Sequence, residues 1–276
     1  MIILEPCAGL GNRLLAIASA NKLCKELKQE LVIIWKKEGG CNASAKDLFY
    51  FDDVKVIEIS ENGYRKELFA TLKGNFIKRK YRKLANAFVP CEKIDEKKAC
   101  GQFDALKAEI ADFPVVYIKS FTNMCEIGKK DFLFIHPSAN ITNKGQKVFE
   151  RINENTVGVH IRRTDHVEAI ANSPLELFFD KMQLEIEKRD ANFYVTTDDR
   201  TVEKALRDHF PAEKLIFYEN KVIDRDSKEG IEDAMIDMLC LSKSCKILGS
   251  FNSTFSLIPS IMGGIPLEIV TKLSLV

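Results

Sequence analysis

Charge of one sign is what this chain most plainly lacks. Its 276 residues carry 41 Lys and Arg against 40 Asp and Glu, a formal net charge of +1. No whole-molecule field therefore draws nucleic acid or an anionic membrane to it. Long apolar runs are also missing, and none approaches the roughly 20 residues needed to span a bilayer. Cysteine is present but unorganised. The eight residues Cys7, Cys24, Cys41, Cys91, Cys100, Cys125, Cys240 and Cys245 form no CxxC pair, and no cysteine–histidine cluster has zinc-site spacing. Several fall inside helical or strand patterns, where a reduced thiol behaves as a small apolar side chain. Free thiols in a reducing cytosol are expected. The opening Met1-Ile-Ile-Leu-Glu-Pro6 reads as a strand and turn. Without a basic n-region or a long apolar h-region, no secretory leader is expected and the location is read as cytoplasmic.

Several catalytic signatures are missing as well. There is no GxSxG elbow, no HExxH and no GxxxxGK[ST] loop. Asp224-Arg-Asp226 fits the letters of a DxD metal motif but lies in a polar stretch, so no metal is predicted. Gly9-Leu-Gly11 begins like a dinucleotide fingerprint, yet position 14 is Leu where GxGxxG needs glycine.

What is present is alternation. A strand at Ile2–Leu4, a glycine turn, a helix over about Asn12–Gln29 and an apolar strand at Leu31–Trp35 make one strand–helix–strand unit. Leu14, Leu15, Ala18, Leu23 and Leu27 supply the helix stripe, and Asn12 is the expected N-cap. Further strands are predicted at Val54–Ile59, Val115–Ile118 and Phe132–Ile135. Beyond Thr142 the strands are Val157–Ile161, Phe193–Thr197, Lys214–Phe217, Lys246–Leu248 and Pro266–Val270. The intervening helices are predicted near Pro174–Arg189, Thr201–His209, Ile231–Ser242 and Ser253–Met262. This order predicts an α/β protein with parallel sheets and helices on both faces. Pro137, Ser138, Asn140, Asn143 and Gly145 mark a boundary, giving Rossmann-like domains over residues 1–140 and 141–276 with a cleft between them. The basic stretch from about Gly63 to Gly101 is read as helical with a solvated face; the alternative is a surface meeting an anionic acceptor or, peripherally, a membrane.

Four segments carry candidate chemistry, each following a strand. Val157-Gly-Val-His-Ile-Arg-Arg-Thr-Asp165 ends on paired guanidiniums, where open α/β sheets hold their ligands. Guanidinium matches phosphate oxygens bidentately, so Arg162 and Arg163 point to a pyrophosphate. If the strand alternation continues, one meets phosphate and the other pairs with Asp165 or a neighbouring acid; Arg162 is the choice for phosphate. His160 faces a base or ribose, or is a hydrogen-bonded core residue. Asp198 and Asp199 end the next strand, and one ligand contact and one helix cap are expected of them. Gly9, Gly11, Asn12 and Arg13 form a turn whose N–H groups suit an anion, or simply a tight βα turn with a cap; Arg13 opposes the local helix dipole, which favours a functional explanation for it. Ser253, Thr254, Phe255 and Ser256, after Gly249, form a second phosphate cradle or simply a helix cap. Asp237 is a marginal candidate, since an acid inside such a helix is usually solvated.

With those residues in hand, the chain resembles the GDP-fucose-dependent fucosyltransferases of the α1,2/α1,6/protein-O-fucosyl superfamily. His160-Ile-Arg162-Arg163-Thr-Asp165 matches the HxRRxD signature of that group, and Thr197-Asp198-Asp199 and Asn252-Ser-Thr-Phe-Ser256 follow in the family's order. Gly9-Leu-Gly-Asn12 is similar to the bacterial α1,2 enzymes and to nodulation-type α1,6 enzymes. Two departures stand out: Arg13 replaces the usual Gln after GLGN, and Leu257-Ile-Pro259 replaces a Trp-Trp-Gly segment.

The resemblance implies an inverting glycosyltransferase of GT-B architecture. It needs no metal or cofactor, takes GDP-fucose as donor on the C-terminal domain and a glycan as acceptor. Arg162, with Arg163 close by, would then hold the β-phosphate; His160 and Asp198 or Asp199 would contact guanosine; Ser253, Thr254 and Phe255 would line the phosphate side. Asp165 and Glu5 are candidates for the base. Another GDP-sugar such as GDP-mannose, or a non-catalytic nucleotide-sugar-binding paralogue, are the alternatives.

Overall fold

The computed structural model describes residues 1–59, the backbone of 91–94, and 103–272. Apart from one short strand, the basic stretch near 63–101 lies outside the described residues. The chain forms two compact units, Met1–Ser138 with Asp224–Ile231, and Ala139–Ile223 with Glu232–Val276.

The first unit is built on a five-stranded parallel sheet. Its strands are β1 (Ile2–Pro6), β2 (Leu31–Lys36), β4 (Lys55–Ile59), β5 (Cys91–Ile94) and β6 (Val115–Ser120), in the order β4-β2-β1-β6-β5. The short pair β3 (Phe49–Phe51) and β7 (Ile135–Pro137) runs antiparallel beside it. Ile3, Val32, Ile34, Ile57 and Ile59 share one buried face. Period-two alternation sends Ile2, Leu4, Ile33 and Trp35 to the other, and all four are fully buried. Helix α1 (Leu10–Leu27) starts earlier than the sequence pattern indicates. Gly9, in extended conformation, gives its carbonyl to the Arg13 N–H at 3.1 Å and is the N-cap in place of Asn12. Two further short helices stand among the described residues of the unit, α2 (Ala45–Leu48) and α3 (Phe103–Ile110).

The second unit repeats the plan. Strands β8 (Thr156–Ile161), β9 (Asn192–Thr197), β10 (Leu215–Ile216), β11 (Lys246–Ser250) and β12 (Leu267–Val270) pair in parallel as β10-β9-β8-β11-β12. Its helices are α4 (Ala139–Phe149), α5 (Val167–Asn172), α6 (Leu175–Arg189), α7 (Arg200–His209), α8 (Lys228–Lys243) and α9 (Thr254–Gly263). Val157, Val159, Ile161, Phe193 and Val195 pack on Phe178 and Met182 of α6 and on Val202 and Leu206 of α7. Full burial of each such side chain contributes about 1.5–3 kcal/mol. The alternate residues Gly158, His160, Tyr194 and Thr196 face α8 and α9. A Cβ on Gly158 would meet Leu241 Cδ2 of α8 at 2.9 Å, so the small residue admits that helix.

One helix is added to the expectations and two strands are corrected. The polar cluster read as a boundary also carries a helix: α4 begins at Ala139, with Ile141, Gly145 and Val148 buried along one stripe. A Cβ on Gly145 would meet Phe149 Cζ at 2.3 Å, so this glycine seats an aromatic ring rather than making a turn. The strand expected at Phe132–Ile135 gives way to a 3-10 turn at Lys129–Phe132, where the Gly128 N–H donates to Asp131 Oδ2 at 2.9 Å, and strand pairing starts only at Ile135. The strand at Lys214–Phe217 is reduced to two residues, because Lys214 belongs to a 3-10 turn.

Candidate active site

In both units the strand order reverses at the central strand. The chain leaves β1 toward β2 and β4 on one side, while β6 and β5 lie on the other; β8 likewise divides β9 and β10 from β11 and β12. Ligands of open α/β sheets sit at the carboxyl ends of strands beside such a reversal. The turn at Gly9–Asn12 follows β1, and Arg162–Asp165 follows β8, with Gly249–Ser256 alongside at the end of β11. The folding pattern itself therefore delivers these candidate segments to the crevice positions.

In the second unit the paired arginines are held quite differently from each other. The Arg162 guanidinium donates to Asp198 through Nη1 and to Asp165 through Nη2. Asp198 also accepts from the Arg163 N–H and the Thr164 hydroxyl, both at 2.7 Å. Arg163 Nη1 donates to the Arg162 carbonyl at 2.8 Å. Its Nη2 is buried without a hydrogen-bond partner among the described residues, and burial lowers its pKa. The expected acid pairing thus falls on Arg162, and the uncommitted buried donor belongs to Arg163. The two aspartates also separate. Asp199 caps α7, accepting from the Thr201 N–H at 2.8 Å, whereas Asp198 organises the arginines.

His160 is buried, its ring 4.9 Å from that of Phe255. Burial, then Arg162, Lys221 and Arg163, push its pKa down to about 3, so the imidazole is neutral. Its Nδ1 has no partner among the described residues. Ser250 ties the strand ends together: its hydroxyl accepts from the Arg162 N–H at 2.9 Å and donates to the His160 carbonyl at 3.2 Å. Gly249 lets α9 approach, since a Cβ there would lie 2.6 Å from Ser256 Oγ. Ser253 is the N-cap of α9, but its side chain makes no capping hydrogen bond, and Thr254 and Phe255 open the first turn.

Asp237 is not the solvated acid its place in α8 suggested. It is buried and accepts from Tyr194, from Thr196 Oγ1 at 2.6 Å and from Lys221 Nζ at 3.0 Å. Tyr194 is correspondingly raised well above its ordinary pKa, by burial first and then by Asp237. Lys221, only 4% exposed, is the residue sequence reasoning missed. It follows β10 among polar neighbours, and nothing local distinguishes it from a solvated lysine.

In the first unit, Gly9, Gly11 and Asn12 open α1, while Arg13 turns inward and is fully buried. At the end of β1, Glu5 is buried, accepts from the Tyr117 hydroxyl and lies 3.6 Å from Lys119 Nζ. Among the described residues no cluster of three His, Cys, Asp or Glu side chains could hold a metal ion, and no helix is long and apolar enough to cross a membrane.

No protein-family model matches the chain, and no curated protein matches its sequence. Solved structures do match. The NodZ α-1,6-fucosyltransferase soaked with GDP-fucose aligns over 95% of this chain and 92% of its own at a TM-score of 0.61 and 16% identity. A point mutant of Arabidopsis thaliana FUT1 in complex with GDP aligns over 99% of this chain and 70% of its own at 0.61 and 14% identity. POFUT1 in complex with GDP-fucose covers 98% and 97%, at 0.55 and 13% identity. The fold is a fucosyltransferase fold. It embraces both units, so the α/β architecture with parallel sheets read from the sequence is that of these enzymes.

Proposed function

We propose that the chain is an inverting glycosyltransferase that moves L-fucose from GDP-fucose to a glycan hydroxyl. The observation that carries this is the guanidinium pair at the carboxyl end of β8, at the strand-order reversal of a fold shared with structures holding GDP and GDP-fucose. Cleavage of a fucosyl–phosphate bond builds positive charge on the sugar and negative charge on the departing diphosphate. Fixed donors aimed at the leaving group stabilise that charge without reorganising. Of the three buried side-chain nitrogens without a partner among the described residues, Asn21 Nδ2, His160 Nδ1 and Arg163 Nη2, the last two belong to β8 and the turn after it, and the reading assigns them to the nucleotide. Arg162 then neutralises phosphate together with Arg163, doing with guanidinium what a divalent cation does elsewhere. Ser253, Thr254, Phe255 and Ser256 line the phosphate side, with the first turn of α9 favouring an anion. Gly9, Gly11 and Asn12 present the corresponding turn of the first unit, and Glu5 and Asp165 are the carboxylates for the acceptor proton.

A thermal-shift panel of GDP, GDP-fucose, GDP-mannose and UDP-sugars tests the donor. A ligand at 100 times its dissociation constant stabilises by about 2.7 kcal/mol. Stabilisation by UDP-sugars alone would overturn the assignment. Release of GDP from GDP-fucose over a glycan library, unchanged by EDTA, tests turnover and the metal-free mechanism together. Loss of GDP binding is expected in both Arg162→Ala and Arg163→Ala; retention in both would remove the arginines from the phosphate site.

A further inference from the structure

Arg13 lies at the fourth position of α1, and its guanidinium stays beside the helix start, on the residue before the N-cap, where its charge opposes the dipole. It folds back into the unit and reaches zero exposure with every nitrogen engaged. Nε donates to the Ala8 carbonyl at 2.8 Å, Nη1 to the Lys36 carbonyl at 2.7 Å, and Nη2 to Glu38 Oε1 at 3.2 Å. The guanidinium carbon lies 4.6 Å from the centre of the Trp35 ring, and Trp35 is itself fixed by its Nε1–H donating to the Ala43 carbonyl at 2.8 Å. One side chain thereby joins the turn after β1, the last residue of β2 and the loop beyond it.

The first of those contacts matters most. Ala8 has φ +65°, a left-handed conformation that a residue with a Cβ seldom adopts without outside support. The peptide that follows it leads directly into Gly9, whose carbonyl accepts the first α1 hydrogen bond from the Arg13 N–H. The N–H groups of Leu10, Gly11 and Asn12 therefore have no acceptor within the helix, and their direction depends on how the Ala8 carbonyl is held. Arg13 holds it from behind.

We infer that Arg13 is a positioning residue: through the Ala8 carbonyl it sets the direction of the Gly9–Asn12 N–H groups, and it does not itself touch the nucleotide sugar. The inference rests on the proposed transferase reading for what the turn does, but not for how it is built. A lysine at this position keeps the charge and loses the fork, because a single Nζ cannot satisfy three acceptors in three directions.

Two measurements on Arg13→Lys decide it. Hydrogen–deuterium exchange should accelerate at least roughly tenfold at the first hydrogen-bonded amides of α1, positions 13 and 14, while the α1 amides from Ile17 to Leu23 stay protected. In turnover of GDP-fucose, kcat should fall roughly 10- to 100-fold with KM and the GDP dissociation constant near wild type, as expected when a supporting contact is loosened. Glu38→Gln, which weakens the Nη2 contact and the partly exposed 3.4 Å ion pair with Lys36 while leaving the Ala8 and Lys36 carbonyl contacts of Arg13 in place, should give the same pattern at smaller size and covers the case in which Arg13→Lys does not fold. Unchanged exchange at positions 13 and 14 in both variants, or acceleration spread evenly along α1, overturns the inference. So does a fall in GDP affinity with kcat intact, which would make Arg13 a direct contact. If the wild-type protein turns over no GDP-sugar, the transferase reading fails, and the exchange pattern still decides the role of Arg13.

Discussion

Lowering the pH should unfold the second unit in a way that traces to one side chain. His160 is buried with its folded pKa pushed down to about 3, by desolvation first and then by Arg162, Lys221 and Arg163. In the unfolded chain its pKa is about 6.5. Below that value the unfolded state binds a proton that the folded state refuses, so stability is fully present above about pH 6.5 and is lost toward about pH 3. Between about pH 7.5 and pH 5 the loss from this residue alone is about 2 kcal/mol, since each unit of unfolded-state protonation is worth about 1.4 kcal/mol. Urea titrations at the two pH values, on wild type and on His160→Asn, isolate it. Trp35 is the single tryptophan and belongs to the first unit, so peptide circular dichroism is the signal that also follows the second unit. The asparagine variant should lose about 2 kcal/mol less than wild type across that interval. Equal pH dependence in the two proteins would refute a buried neutral imidazole. Saturating GDP should also flatten the wild-type slope, because a diphosphate near the ring raises its folded pKa.

Lys221→Met removes one member of a buried ion pair and leaves Asp237 with only the Tyr194 and Thr196 donors. It should cost about 3–5 kcal/mol in urea unfolding, and clearly less in an Asp237→Asn background, where the uncompensated charge is gone. Gly249→Ala should cost about 1–3 kcal/mol, since the new Cβ meets Ser256 Oγ at 2.6 Å and Leu267 Cδ1 at 2.9 Å; a neutral effect in the same assay would mean that α9 moves freely on β11. Asp199→Ala removes the cap of α7 and should cost about 1 kcal/mol while sparing GDP affinity, which calorimetric titration would check.

The parts of this molecule legible in the sequence are those where one residue's neighbours along the chain set its environment. Val157, Val159 and Ile161 alternate because they share the face of β8 packed on α6 and α7 while Gly158 and His160 take the other, and the arginines after them announce a strand end with charge to place. Asp198 and Asp199 are adjacent and alike on paper, yet one caps a helix and the other gathers two arginines. Only the curvature of the chain after β9 separates them. Ala139–Phe149 was hidden because asparagines and a glycine imitate a linker, while its apolar stripe shows only Ile141 and Val148. Lys221 and Asp237 were illegible for a stronger reason. Each looks solvated alone, and their burial exists only once β9, α8 and the segment after β10 converge. The passage of Asp224–Ile231 back to the first unit is of the same kind: Asp226 accepts from the Gly40 N–H at 2.9 Å, 186 positions away in sequence.

Charge balance at the end of β8 sharpens what the arginine pair can do. Arg162 and Arg163 face Asp198 and Asp165, so two positive charges are offset by two negative ones before any anion arrives. The two acids are not equally committed. The Asp198 side chain is 13% exposed and holds Thr164 and the Arg163 N–H as well as Arg162, whereas the Asp165 side chain is 52% exposed. An exposed ion pair contributes about 0–1 kcal/mol, so on the proposed reading Asp165 is the partner that a diphosphate would displace from Arg162. On the proposed reading Asp165 occupies the phosphate's place on the guanidinium, and its release as the donor seats frees its carboxylate for the acceptor proton. Asp165→Asn should then tighten GDP binding by up to about fivefold, the equivalent of that pair's contribution. Calorimetric titration of GDP into both proteins measures it, and weaker binding by the variant would show that Asp165 orients Arg162 for the ligand rather than competing with it.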